Sequence, residues 1–234
     1  MSEWWTYRPV DLLMFAPRTY WRLFELHNET LWPLQLATTL AGMALGLGLM
    51  RGSTRALRAG AAGLALCWAL VAWAFLWRRY APIQPVAAVF AIAFGVQALG
   101  LLALSAAHDL RGTGQRVRRG SGLALLAWAL LAHPLLALAT GRPLAQAELF
   151  GLAPDPTVIA SLGLLLCAQA GTRVTRALLW TLRLLALAWC LVSAATLWTM
   201  GSPQGWVPLA AAALTLGGLW RRPHRRAGAR VKAP

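Results

Sequence analysis

The stretch Glu148-Leu-Phe-Gly-Leu-Ala-Pro-Asp-Pro-Thr157 interrupts a chain that otherwise consists of long hydrophobic runs. Asp155 precedes Pro156, a pair typical of a helix start, because Asp caps free backbone N–H groups and Pro suits the first helical position. The stretch is predicted to begin a helix with Asp155 as its N-cap. An acid at a membrane boundary also accepts protons or cations, which is the alternative role of Asp155.

The composition around this stretch excludes a soluble domain. Of the 234 residues, 59% are hydrophobic and only 12% are charged, with a mean hydropathy of +0.57, whereas soluble domains contain about 25% charged residues. The chain is predicted to be a multi-pass protein of the bacterial cytoplasmic (inner) membrane. The net charge of +15 is explained by Lys and Arg retained on the cytoplasmic side, so no nucleic acid is expected. The expected partners are the bilayer and anionic lipid head groups at the basic inner surface.

Seven hydrophobic runs approach the length of about 20 residues that a membrane-spanning helix requires. The fifth and seventh are short. The runs are 31–50, 59–77, 83–107, 122–140, 156–171, 177–200 and 206–220. The predicted fold class is an all-α polytopic transmembrane helix bundle with about seven spans.

The distribution of charge between the runs predicts the orientation. With the N-terminus outside, the inner segments hold sixteen of the 22 Lys and Arg residues but only one of the seven acids. Positive charges near helix ends resist translocation, which favours N-terminus out and C-terminus in. Without the seventh span, the basic tail would lie outside. The predicted organisation is an outer interfacial segment 1–30, a seven-helix domain 31–220 and a basic cytoplasmic tail 221–234.

The segment before the first run has an amphipathic pattern. Tyr20, Leu23, Phe24 and His27 recur at helical spacing, and charged residues occupy the other positions. Two arrangements remain open: a helix lying on the outer membrane surface, or a lid across the outer mouth of the bundle.

Three motifs carry a family resemblance. Residues 11–35 contain Ala-Pro-Arg-Thr-Tyr-Trp-Arg-Leu-Phe-Glu-Leu-His-Asn-Glu, residues 80–85 read Tyr-Ala-Pro-Ile-Gln-Pro, and residues 150–166 begin Phe-Gly-Leu-Ala-Pro-Asp-Pro-Thr. Together they resemble a family of bacterial polytopic membrane proteins described only as a domain of unknown function. The resemblance implies a compact multi-helix membrane protein and brings no activity or ligand. Members of that family often carry a cysteine where this chain has Asp155, so no thiol-based role is carried over.

Four polar residues are the candidates for a binding site or a polar path: His133, Asp155, Glu148 and Gln97. His133-Pro134 lies about eleven residues into the fourth run, near the middle of a bilayer at about 1.5 Å per residue. A histidine there beside a helix-disrupting proline is a proton carrier or ligand, or a neutral side chain bonded to a neighbouring helix. Gln97 equally fits an interhelical hydrogen bond.

A second polar group, His27, Asn28 and Glu29, is a candidate outer cluster just before the first run. It lacks evident further ligands for a metal, and the three cysteines fall inside hydrophobic runs with no CxxC spacing. No metal, cofactor or catalytic residue is therefore predicted, since nucleophile, zinc-protease and nucleotide-binding motifs are also absent from the sequence.

Three functional hypotheses follow. The first is a non-enzymatic accessory or binding component, with the outer loop between the fourth and fifth runs as its contact surface. The second is a small transporter or channel whose outward-opening path is lined by the four candidate residues. The third is a membrane-embedded enzyme that acts on lipid.

Overall fold

The computed structural model describes residues 14–220, and helices make up most of them. The predicted tail 221–234 and the first thirteen residues of the predicted segment 1–30 lie outside this range. The elements are α1 (Pro17–Thr30), α2 (Leu34–Met50), α3 (Thr54–Leu70) with a π-helical continuation (Val71–Tyr80), α4 (Ala87–Ala106), β1 (Leu110–Gly112), α5 (Arg116–Ala127), α6 (Leu136–Ala139), α7 (Pro154–Cys167), β2 (Ala168–Ala170), α8 (Arg173–Thr199) and α9 (Trp206–Trp220).

Each of the seven hydrophobic runs coincides with helical structure, but not every helix has the length of a span. Within residues 14–220, four helices are long and apolar enough to cross a membrane: Thr54–Tyr80, Ala87–Ala106, Arg116–Ala139 and Arg173–Thr199. A fifth results if α1 and α2, which are bent by 90° relative to each other, count as one span. The mostly helical structure agrees with the predicted all-α class, while the count of about seven spans and the orientation of the termini stay predictions.

The connections between helices gather at two ends of the bundle. At one end, which we call the capped end, Arg79 donates to Thr30 Oγ1 at 2.8 Å and Arg142 donates to Gln204 Oε1 at 2.8 Å. At the other, the ribbon end, β1 pairs antiparallel with β2, so the α4–α5 and α7–α8 connections lie side by side. Because successive connections alternate between the two ends, successive helices run antiparallel.

Helix α7 occupies the centre of the bundle. Its sequence is apolar on nearly every side, and all of its 14 residues are buried, as expected for a helix without a polar face. It packs between α3, α5, α8 and α9. At 1.5 Å per residue it is about 21 Å long, shorter than the roughly 30 Å of hydrocarbon in a bilayer.

Helix α1 lies across the capped end. It buries Tyr20, Trp21, Leu23, Phe24 and His27 against the π-helical part of the third helix and the connection before α7. The apolar face of α1 therefore covers the capped end of the bundle, which is the arrangement of a lid. Its position on a membrane surface stays a prediction.

Candidate functional site

The connection that leads into α7 is buried beneath α1. Gly151 adopts a left-handed conformation with φ of +79°, and a Cβ there would come within 3.0 Å of Cys67 Sγ, so only glycine fits the turn. The hydroxyl of Thr157 accepts from the Gly151 N–H at 3.0 Å and donates to Ala153 O at 2.7 Å. These bonds fix the chain where α7 begins.

Asp155 does not cap α7, contrary to the prediction. The helix begins at Pro154, its N-cap is Ala153, and no side chain makes a capping hydrogen bond. The Asp155 carboxylate instead accepts from Trp189 Nε1 at 2.8 Å and from Ser193 Oγ at 2.5 Å, both on α8. The acid therefore ties α7 to α8.

Hydrogen bonds link Arg142 at the capped end to Gln204 and then to Glu148, which lies beside His133. Arg142 donates to the amide oxygen of Gln204 at 2.8 Å, and the Gln204 amide nitrogen donates to Glu148 Oε2 at 3.0 Å. His133 Nε2 lies 3.7 Å from the same Glu148 oxygen. The guanidinium of Arg142 also stacks over the Trp21 ring of α1, 3.4 Å from its centroid.

We call His133, Arg142, Glu148, Asp155 and Gln204 the polar cluster. The exposed fraction of the residue is 2% for His133, 3% for Glu148 and 5% for Asp155. Asp155 also interacts electrostatically with Glu148 and His133. Burial lowers the pKa of Arg142, while the negative charge of Glu148 opposes this shift. Three of the four candidate residues are thus gathered in one enclosed place.

His133 sits where the helical hydrogen bonding is irregular. A π-helical turn (Trp128–Ala132) runs into a 3₁₀ turn (His133–Leu135) before α6, because Pro134 has no N–H to donate. Neither ring nitrogen of His133 has a hydrogen-bond partner among residues 14–220. The imidazole therefore faces Glu148 without a hydrogen bond from the described part of the chain to either ring nitrogen.

Gln97 lies outside the polar cluster. Its Nε2 donates to Leu182 O of α8 at 3.0 Å. Asp155 contacts α8 seven and eleven residues beyond Leu182, about 10 and 16 Å further along the helix. Gln97 is therefore placed as an interhelical bonding residue, which was its alternative interpretation.

The predicted outer cluster of His27, Asn28 and Glu29 does not converge on one point. His27 Nε2 lies 3.0 Å from Leu152 O, and the Asn28 amide donates to Ala145 O and Ala147 O, each at 2.9 Å. Glu29 is exposed. Among residues 14–220, no three His, Cys, Asp or Glu side chains are grouped to hold a metal ion. The first two residues instead fasten α1 onto the connection before α7.

The ribbon end is held by charged residues bound to helix ends. Asp109 accepts from the Thr172 N–H at 2.6 Å and from the Thr175 hydroxyl at 2.7 Å. These bonds hold the pKa of Asp109 well below its usual range. Arg183 is buried and donates to Leu165 O at 2.7 Å, and Arg118 donates to Ala168 O at 3.0 Å. Both guanidinium groups complement the negative C-terminal end of α7.

Comparison with known proteins identifies the family. The family of unknown function DUF6064 matches residues 18–229. The chain belongs to this family. The resemblance seen in the sequence motifs is thereby confirmed. No curated protein and no solved structure matches the chain.

For this member of DUF6064, the sequence did not single out four residues that complete the site. Trp189 and Ser193 follow at a spacing of four on α8, so they share one face of the helix. Arg142 and Gln204 lie in the two connections that the charge count places on the same side as Glu148. The helical spacing of Trp189 and Ser193 and the shared side of Arg142 and Gln204 were the signals available in the sequence.

Proposed function

We propose that this chain is a non-enzymatic multi-pass membrane protein that binds protons at its polar cluster. The membrane assignment is supported by the four helices of sufficient length and by the sorting of connections at two ends. An orientation with the capped end outside follows from the arginines near the ribbon end, such as Arg111, Arg116 and Arg173.

One observation carries the proton assignment: the unpartnered, buried imidazole of His133 faces Glu148 at 3.7 Å. With Arg142 positive and both carboxylates ionised, the cluster holds one negative charge in excess. Net charge is costly in a buried site, so this charge balance favours the uptake of one proton by the cluster.

The space around the cluster favours a proton over a larger ligand. None of its members lines the 700 Å³ groove between α2 and α3 or the smaller cavities of 250 and 210 Å³. The connection expected to serve as a contact surface is only partly covered: it is buried at Ala147, Glu148 and from Phe150 to Ala153, and exposed at residues 143–145. Binding inside the bundle therefore concerns the buried half of this connection, and its exposed half stays available for docking.

Infrared difference spectroscopy of the purified protein at varied pH tests the proposal. We expect a protonated-carboxyl band that appears as pH falls and that Asp155→Asn or Glu148→Gln removes or shifts. Gln97→Leu is the control, since it changes a buried amide away from the cluster. A band that is absent from the wild type, or unchanged in both acid variants, contradicts the proposal.

A transporter is the second candidate, favoured by the break in helical structure at the cluster. The irregular segment 128–135 lies within a candidate span, and the short helix α7 begins beside it. Interrupted helices around a buried polar site are found in many carriers. Proteoliposomes containing a pH-sensitive dye distinguish the two functions. Proton flux that His133→Ala and Asp155→Asn abolish supports a transporter, whereas an infrared response without flux supports a binding component.

A further inference from the structure

A groove runs between α2 and α3 on the side of the bundle. It has a volume of about 700 Å³ and is lined by apolar residues, with Phe150 from the connection before α7 among them. Small residues form much of its wall, including Ala41, Ala59, Gly60 and Gly63. Exposed Leu36, Leu40 and Leu66 belong to the same two helices. The groove is therefore an apolar channel beside a surface suited to hydrocarbon.

The shape of the groove limits what it holds. The two helices touch near the ribbon end, where a Cβ on Gly48 would come within 2.3 Å of Ala56 Cβ. From Ala56 to Leu70 the groove follows α3 for about 21 Å. Because it is long, apolar and closed by this contact at the ribbon end, the groove suits a hydrocarbon chain.

Two arginines stand at the ribbon end of this groove. Arg51 follows α2, and Arg55 lies on α3 one turn before Ala59, which lines the groove. Both side chains are exposed, and neither forms a hydrogen bond or ion pair within the described part of the chain. An unpaired guanidinium at the end of an apolar groove fits a phosphate joined to a hydrocarbon chain.

We propose that this groove binds one acyl chain of an anionic phospholipid whose phosphate contacts Arg55, with Arg51 nearby. The lipid belongs to the leaflet at the ribbon end. Its chain extends along α3 toward the capped end, past Gly63. This interaction is independent of the proton function proposed for the polar cluster.

Two variants separate the chain from the head group. A Cβ on Gly63 meets nothing within 4 Å, so Gly63→Leu fills the groove without a clash. Gly95→Leu is its matched control, because Gly95 also lies in a helix, also has free space at its Cβ and lies outside the groove. Arg55→Gln removes the cation, and Arg116→Gln is the matched control at the same end.

The test is lipid retention by the full chain in detergent, measured by native mass spectrometry with phosphatidylglycerol or phosphatidylcholine. We expect the wild type to prefer phosphatidylglycerol, Gly63→Leu to lose the bound lipid, and Arg55→Gln to weaken phosphatidylglycerol binding about fivefold. Both control variants should bind as the wild type does.

Each of the following results overturns the proposal. Equal retention by Gly63→Leu and Gly95→Leu excludes the groove as the chain site, and equal binding of the two lipids excludes selection of a net anionic head group. Equal phosphatidylglycerol binding by Arg55→Gln and Arg116→Gln excludes the phosphate–arginine contact. Inorganic phosphate that protects the protein against heat as well as phosphatidylglycerol does excludes a lipid-specific site. A Gly63→Leu variant that dissociates from a dimer to a monomer instead assigns the groove to a second copy of the chain.

Discussion

The Asp155 carboxylate has two donors from α8, and each of its oxygens uses one of them. A leucine at this position accepts from neither donor and leaves the buried Trp189 N–H without a partner. We therefore expect Asp155→Leu to lower the free energy of unfolding by about 1–3 kcal/mol, the cost of an unsatisfied buried polar group. Equilibrium unfolding in mixed detergent micelles, followed by tryptophan fluorescence, measures the change.

Ser193→Ala is the companion variant for Asp155. It leaves the Trp189 bond in place and removes one donor, so its effect on the free energy of unfolding should be smaller. An Asp155→Leu protein as stable as the wild type contradicts the assignment of both hydrogen bonds.

The bonds to Asp109 predict a pH dependence of stability. Because its pKa in the folded protein lies below the value of about 3.9 in an unfolded chain, the stabilisation is complete above that value. It is lost as the pH falls below about 4 toward the folded-state pKa. Thermal unfolding of the wild type should therefore shift downward below pH 4. Asp109→Asn should lower the melting temperature at pH 7 and remove part of the acid shift. An identical acid shift in both proteins would show that other groups cause it.

At the residue scale, the sequence identified which side chains were unusual but not which atoms they bind. Asp155 before Pro156 has the local pattern of an N-cap, whereas its actual partners are 34 and 38 residues away on α8. His133 was expected near the middle of the bilayer and Glu148 in an outer connection, whereas His133 Nε2 lies 3.7 Å from Glu148 Oε2. The distances that define the cluster depend on tertiary packing, which a local pattern does not contain.

At the scale of elements, α7 is held by close backbone contact with α5. A Cβ on Gly163 would come within 2.5 Å of Gly122 O and 3.1 Å of Leu126 N. We expect Gly163→Ala to lower the free energy of unfolding by about 1–3 kcal/mol through overpacking. Gly217→Ala, which meets nothing within 4 Å, should instead stabilise α9 by about 0.5–1 kcal/mol. The same micelle unfolding assay compares them, and equal effects would exclude a close α5–α7 contact.

The lid helix α1 gives a second test at this scale. Asn28→Ala removes two hydrogen bonds to the connection before α7, each worth about 1 kcal/mol. Hydrogen exchange in residues 17–30 should become about thirtyfold faster, the factor that corresponds to about 2 kcal/mol. Glu29→Ala, which alters an exposed neighbour, should leave exchange unchanged. Equal exchange in the two variants would mean that the Asn28 bonds do not fasten the lid.

Hydrophobic periodicity predicted the elements better than their contacts. The apolar run after Pro156 predicted a short fifth spanning helix, and the structure has a helix there that is also completely buried. Gly122 and Gly163 were not distinguished from the many other small residues. A glycine at a helix crossing and one facing open space, such as Gly63 or Gly95, look alike in a sequence. Only the packing of the partner helix separates them.

At the scale of the whole molecule, composition was sufficient for the helical class, and charge asymmetry predicted a sidedness that the structure does not itself establish. The number of spans does not follow from helix length alone, because α7 and α9, with 14 and 15 residues, are shorter than the roughly 20 residues that a spanning helix requires. A central helix shielded by its neighbours can be shorter than the bilayer, since surrounding protein covers its ends. Length rules based on lipid-facing helices do not describe such a helix.

Cysteine labelling tests the proposed orientation. In a background with Cys67, Cys167 and Cys190 replaced by alanine, Leu144→Cys lies at the capped end and Val117→Cys at the ribbon end, both at exposed positions. A membrane-impermeant maleimide should label Leu144→Cys in intact bacterial cells and Val117→Cys only after the membrane is opened. The reverse pattern indicates an inverted protein, and labelling of both in intact cells excludes ends on opposite sides.

The complete enclosure of α7 has a consequence for the order of assembly. Both ends of this helix depend on α8, through Trp189 and Ser193 at its start and Arg183 at its finish. When the ribosome has just added the last residue of α7, none of these partners has yet been synthesised. In a bilayer, α7 therefore has to await α8 during biogenesis and enter with it as a hairpin. A nascent chain arrested between the two would leave an acid and unpaired carbonyl groups facing hydrocarbon, which makes this junction the vulnerable point of synthesis.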